Sequence, residues 1–208
     1  MAVLSISRQF GAGGKTTAER VAGRLNYRYA DSELVGRVAR ELGLSDEWVD
    51  TQGREVGYGA ARGFGLSSSN FLARLIGQKQ SGFTEDRLVE LFRRIIPEMA
   101  LDGDIVFLGR ASQFLLPGAP SVVKVLMVAA LEDRVRFMMK AYQLDEKEAR
   151  RVVADWEENR SKFLSRFTFS DHNDPGVYTM VVNTSLVSLD QAEDMIVDLV
   201  QSRDAVAQ

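Results

Sequence analysis

Residues Ser7 to Thr17 read S-R-Q-F-G-A-G-G-K-T-T, between an apolar run, Ala2 to Ile6, and a helix-forming stretch. Small residues let backbone N–H groups crowd around an anion, and a helix starting there adds the positive end of its dipole. Lys15 beside Thr16 offers a point charge and a hydroxyl able to ligate Mg²⁺. Strand, glycine turn, Lys-Thr and helix in that order predict a phosphate-binding loop. Gly11, Ala12, Gly13, Gly14, Lys15, Thr16 and Thr17 would line it. The usual pattern has Gly six residues before the Lys, where this chain has Gln9. A tight strand-to-helix turn with an exposed lysine is the plainer alternative; the position directly after the first strand favours the anion.

The elements that must carry this loop follow from periodicity. Ala18, Val21, Ala22 and Leu25 predict a helix over 15–26, and Tyr27 to Ala30 a short strand. Asp31 or Ser32 can cap a helix with Leu34, Val35, Val38 and Leu42 on its apolar stripe. Leu88, Leu91, Phe92, Ile95 and Ile96 mark another helix, and Ile105 to Leu108 a fully buried strand. Val122 to Val128 reads as a central strand, followed by a helix carrying Leu131, Val135, Met138, Met139 and Tyr142. Asp145 and Glu148 form a cap pair for a long helix burying Ala149, Val152, Val153 and Trp156. Tyr178 to Val182 is the last strand, and Ser188 with Gln191 a capping box for the last helix. Alternating helices and doubly apolar strands predict a three-layer α/β fold with a five-stranded parallel sheet. Ligands of such folds bind at the C-terminal ends of the strands. Three strand ends carry suitable chemistry: the glycine loop, Gly109-Arg110 and Asn183-Thr184-Ser185.

At 208 residues and 45% hydrophobic content, the chain is expected to form one domain over 1–208. A Gly-rich insert at about 52–82 holds seven of the 17 glycines and serves either a pocket or an ordinary surface excursion. The absence of cysteine excludes disulfides and thiol catalysis, and a single His argues against a His-based zinc site. A net charge of −3 argues against general nucleic-acid binding. No apolar run approaches the roughly 20 residues that span a bilayer, and no leader pattern is evident, so the expectation is a cytoplasmic protein without membrane partners. Apolar residues within 58–76 hint at a homo-oligomer.

Taken together, S-R-Q-F-G-A-G-G (7–14), Y-A-D-S-E-L (29–34), F-L-G-R-A (107–111), L-E-D-R-V-R (131–136) and D-P-G-V-Y-T-M-V-V-N-T-S (174–185) resemble the cytidylate kinase-like family, a branch of the P-loop nucleoside monophosphate kinases. The resemblance covers nearly the full length. It implies transfer of the ATP γ-phosphoryl group to a nucleoside monophosphate with Mg²⁺, CMP or dCMP being the suggested acceptor, and small nucleotides as partners. Cytidylate kinases carry D-T-G-A-M-Y-R after the second strand, and Asp31 and Arg37 match its first and last residues. Arg110 matches the arginine that contacts the acceptor phosphate. Arg160 and Arg166 look like lid arginines, in a lid-like region of about 145–176, and with Lys15 they are the candidate catalytic residues; Thr16 is the candidate metal ligand. Two departures stand out: the family's lysine falls on Gly14 when the glycines are aligned, and the acid expected at the end of the third strand falls on Leu108. They leave open a nucleotide sensor without turnover, or a P-loop kinase for a different small-molecule acceptor.

The same residues have plainer readings. Asp31 serves equally as a helix N-cap, and Arg37 as a solvated charge. Arg110, just past a buried strand, must reach solvent or an anion at the sheet's active edge, and a guanidinium can grip phosphate bidentately. The charges of 130–166 are mostly helix-surface pairs, and His172 reads as a surface residue.

Overall fold

The computed structural model describes residues 1–31, 34, 37, 41 and 85–206. Its strands are β1 (Val3–Arg8), β2 (Arg28–Tyr29), β3 (Ile105–Leu108), β4 (Val122–Val128) and β5 (Met180–Asn183). Its helices are α1 (Gly14–Leu25), α2 (Glu85–Ala100), α3 (Ser112–Leu115), α4 (Leu131–Tyr142), α5 (Glu146–Leu164) and α6 (Leu189–Val206). Ala30, Asp31, Leu34, Arg37 and Glu41 are also helical. The five strands form one parallel sheet in the order β2-β3-β1-β4-β5.

Both faces of this sheet are covered, which is why its inner strands are mostly apolar, β3 entirely so and β1 and β4 interrupted only by Ser5, Ser7, Arg8 and Lys124. On one face Leu4, Ile6, Val106, Leu108, Val125 and Met127 pack with Val21 of α1 and Ile196 of α6. On the other, Val3, Ile105 and Phe107 pack with Leu88, Phe92, Ile95 and Ile96 of α2. The central strand is β1, with Val3 opposite both Ile105 and Val122. A central strand places its C-terminal end in the middle of the sheet's edge, and the glycine loop leaves from that end.

The predicted capping devices are present. Asp145 accepts from the Glu148 N–H at 2.8 Å, and Ser188 and Gln191 exchange hydrogen bonds at 2.9 and 3.1 Å. Three boundaries differ from the periodicity. The second strand shrinks to Arg28–Tyr29, and α2 runs through Pro97 to Ala100. The last strand starts at Met180 because a 3₁₀ turn, Pro175–Val177, claims Tyr178 as its C-cap. Short α3 was not anticipated, since four residues are too few to show a period. Val35, Val38, Leu42, the insert at 52–82 and its apolar residues at 58–76 lie outside the described residues. Among the described residues, no helix is long and apolar enough to cross a membrane.

Candidate nucleotide site at the sheet edge

The loop leaving β1 is built by two left-handed glycines, Gly11 at φ 86° and Gly13 at φ 79°. Gly13 is the N-cap of α1 and supplies no side-chain cap. The first intrahelical bond runs from the Thr17 N–H to the Gly13 carbonyl at 3.1 Å, so helix geometry leaves the Gly14 and Thr16 amides pointing out of the first turn. Those amides, with the helix dipole, suit an anion. Close packing on three sides enforces the small residues. A Cβ on Gly11 would lie 2.9 Å from the Arg134 Cβ, one on Gly13 2.5 Å from the Leu189 Cδ2, and one on Gly14 2.7 Å from the Arg8 Cβ. Ala12 is buried, as is Thr17, whose hydroxyl has no hydrogen-bond partner. Lys15 is half exposed and pairs with Glu19 of its own helix at 3.8 Å.

Helix α5 is anchored to this loop. The Trp156 ring stacks on Phe10 at 4.1 Å, and a Glu157 carboxylate oxygen accepts from the Phe10 N–H at 2.6 Å. Glu157 also faces Arg134 and Arg160, each at 3.6 Å. Removing this carboxylate would leave two largely buried guanidinium groups facing one another. Glu157→Ala is therefore expected to lower the unfolding free energy by about 2 kcal/mol in chemical denaturation, and Glu157→Gln, which can still accept from Phe10, by less.

Arg160 reaches from α5 into the same edge. It donates to the Ser7 hydroxyl and to the Asn173 side-chain oxygen, both at 3.2 Å. Burial pulls its pKa below the usual arginine range. Tyr178 donates to the His172 carbonyl at 2.6 Å, and burial raises its own pKa. Burial, then the Arg160 charge, keeps His172 below the usual imidazole range. Gln113 of α3 is buried beside Tyr178 and influences its hydroxyl, yet neither amide atom completes a hydrogen bond of good geometry.

The acceptor-side candidates also meet. Arg110 donates to the Asp31 carboxylate at 3.1 Å, and both side chains are largely buried. Backbone geometry aims Arg110: Gly109, Arg110 and Ala111 take φ of 66°, 58° and 61° in succession. Two consecutive non-glycine residues in that region store strain of about 1 kcal/mol or more each. Beside this pair, Tyr29 is held neutral by burial and by Asp31, with its hydroxyl buried and unpartnered.

Two candidates sit elsewhere. Arg37 lines a surface groove with Glu41, Arg94 and Glu98, where Arg94 and Glu41 pair at 3.0 Å. Arg166 pairs with Asp86 of α2 at 3.5 Å and is nearly half exposed. Another groove, between α1 and α6, has cations and carboxylates that neutralise one another: Arg20 with Asp190 and Arg24 with Asp194. Leu108, where an acid was expected, is buried in the apolar core. Among the described residues no three His, Asp or Glu side chains cluster as a metal site. The donor set therefore fits an anion well and a resident metal poorly. A divalent ion here would be held mostly by phosphate oxygens and water, and Thr16 would be the hydroxyl the loop offers it.

Ser7, Arg8, Tyr29, Gln113, Glu157 and Tyr178 were not singled out by sequence. Ser7, Arg8, Tyr29 and Tyr178 lay within motifs, but their partners in space come from other parts of the chain, as Arg8 shows with Gly14 and Gly109.

Known proteins share this fold. A solved structure of an uncharacterized protein from Eubacterium ventriosum superposes with a TM-score of 0.67 at 19% identity, covering 97% of this chain and 99% of that one. A shikimate kinase from Acinetobacter baumannii, solved with shikimate, superposes at 0.51 and 13% identity, covering 97% and 94%. No curated protein matches the chain. The profile of the cytidylate kinase-like family matches residues 3–186. Its span takes in the glycine loop, the Asp31–Arg110 pair and the anchored helix α5, and the chain belongs to the cytidylate kinase-like family.

Proposed function

We propose that the protein transfers the γ-phosphoryl group of ATP to a nucleoside monophosphate, CMP or dCMP, in a cytoplasmic setting. One observation carries this reading: an anion-binding loop and a strained, carboxylate-held arginine share one sheet edge, with a third element docked over them. The loop from Gly11 to Thr17, Lys15 included, would hold the donor phosphates. Asp31 and Arg110 would position the acceptor, and Arg37 would contribute only by leaving its groove with Glu41 and Arg94. Arg160 would face the transferring group, and Arg166 would join it on closure of the region 145–176. Phosphoryl transfer depends on positioning and charge neutralisation, so an edge rich in arginine suits it. Mg²⁺, arriving with the nucleotide, would neutralise the phosphate oxygens. Nothing in the edge needs to act as a strong base, which agrees with a neutral, half-buried His172.

A second reading rests on Leu108 and Gly14, which stand where an acid and a lysine are usual: a nucleotide sensor without turnover. The test is ADP formation from ATP and Mg²⁺ against a panel of nucleoside monophosphates. CMP- or dCMP-dependent turnover is expected. ATP binding without turnover on any acceptor would select the sensor, and turnover only with a non-nucleotide acceptor would place the chain among other small-molecule kinases.

A further inference from the structure

Arg8 ends β1 and turns back over the loop that follows it. A Cβ on Gly14 would lie 2.7 Å from the Arg8 Cβ and 2.8 Å from its Cγ, so the Arg8 stem occupies the volume a side chain at 14 would need. At the other end, a Cβ on Gly109 would land on the Arg8 Nη1. Two glycines on different elements thus form a channel for one arginine, and one of them, Gly109, is left-handed. The guanidinium emerges among Arg110, Asp31, Tyr29 and Arg160. Asp31, the carboxylate beside it among the described residues, is already held by Arg110 at 3.1 Å. Arg160 is already engaged with Glu157, Ser7 and Asn173. Three guanidinium groups therefore converge where the acids present are committed. Desolvation, then repulsion from Arg110, depresses the Arg8 pKa to about 10. That is an unfavourable arrangement for the empty protein and a favourable one for a bound polyanion.

In phosphate loops the lysine that reaches the β- and γ-phosphates directly follows the last glycine of the turn, at the start of the helix. Here the last left-handed glycine is Gly13, and the next residue is Gly14. A lysine at 14 and an arginine at 8 would compete for one space, so the chain holds one or the other. Lys15, one step round the helix, lies on its half-exposed face with Glu19.

We propose that Arg8 is the cation that grips the β/γ end of the bound nucleoside triphosphate, in place of the loop lysine, and that Gly14 and Gly109 are glycine to let it through. This rests on the reading of the loop as a triphosphate cradle. A guanidinium at that place binds two phosphate oxygens at once, where an ammonium offers a point charge.

Calorimetry of Mg²⁺–ATP binding to the full chain tests this. Wild type should bind, Arg8→Met should bind about thirtyfold more weakly, and Lys15→Met should lose only about threefold. AMP, which lacks the β- and γ-phosphates, should bind Arg8→Met as it binds wild type. The melting temperature of ligand-free Arg8→Met should equal or exceed that of wild type, because a repelled, desolvated charge is gone; a merely structural Arg8 would lower it. Gly14→Lys alone should bind poorly because it collides with Arg8, whereas Arg8→Gly combined with Gly14→Lys should return to within about tenfold of wild type. Retained ATP affinity in Arg8→Met, a larger loss in Lys15→Met, or a double variant no better than Arg8→Gly would overturn the assignment of Arg8. Wild type that binds no ATP at millimolar concentration would overturn the cradle reading itself.

Discussion

Gly13→Ala is expected to weaken Mg²⁺–ATP binding by about a thousandfold and to lower the unfolding free energy by about 2 to 4 kcal/mol. Two separate penalties act at this one residue. At φ 79° an alanine sits in the left-handed region, at a cost of about 1 to 2 kcal/mol. Its Cβ would also lie 2.5 Å from the Leu189 Cδ2 and 3.1 Å from the Cδ1, so either α6 or the loop must give way. Overpacking of this kind costs about 1 to 3 kcal/mol, and the side chain it meets heads a helix capped by Ser188 and Gln191. The loop is the softer partner. If it shifts, at least two charge-assisted contacts to phosphate lose their alignment, which corresponds to about a thousandfold in affinity.

The penalties can be separated. Leu189→Ala in the Gly13→Ala background removes the collision and leaves the backbone strain. Denaturant midpoints should recover part of the loss, with a coupling of about 1 kcal/mol or more between the two sites. Additive effects would mean that Leu189 does not constrain the loop. Gly23→Ala is an informative contrast: a Cβ there meets nothing within 4 Å, on the same helix, and replacing glycine by alanine in a helix is favourable by about 1 kcal/mol. Stabilisation by Gly23→Ala beside destabilisation by Gly13→Ala would show that location, not residue type, governs the response.

How far the sequence discloses this arrangement depends on the range of each interaction. The inner sheet strands were legible because burial on both faces keeps them largely apolar, most plainly in Ile105 to Leu108. The caps at Asp145 and Ser188 were legible because their partners lie three residues away. The glycine loop was legible as a local string. Arg8 was not, although it stands inside that string: its role depends on Gly109, which follows another strand, and on the absence of a side chain at 14. A missing lysine reads as a defect until the side chain filling its space is seen. Glu157 and Gln113 were hidden for the same reason, one on a helix full of charges and the other on a helix too short to detect. Arg166 shows the converse. Sequence placed it near Arg160, but the end of α5 turns it to Asp86 of α2.

Arg110→Ala should reduce kcat/KM for the acceptor by about a thousandfold while leaving ATP affinity within about tenfold of wild type. The chain invests in placing this one side chain: consecutive left-handed residues at 110 and 111, and a carboxylate partner at 3.1 Å that is itself largely buried. Asp31 neutralises part of the guanidinium and helps fix its plane. Losing the arginine would remove a bidentate phosphate contact and strip Asp31 of its hydrogen-bonded cation, so that its charge repels an incoming phosphate more strongly. Arg110→Lys keeps the charge but not the fork, so it should recover only about tenfold of the loss. Asp31→Asn should keep the hydrogen bond and lose the charge balance, raising the acceptor KM with a smaller change in kcat. The split matters because a purely structural ion pair would behave differently. Its loss would lower stability in both Arg110→Ala and Asp31→Asn and leave the kinetic constants of the surviving folded fraction unchanged. Steady-state kinetics with CMP as the varied substrate, normalised to folded protein, distinguishes the two. Unchanged acceptor kinetics in Arg110→Ala would remove the acceptor site from this edge.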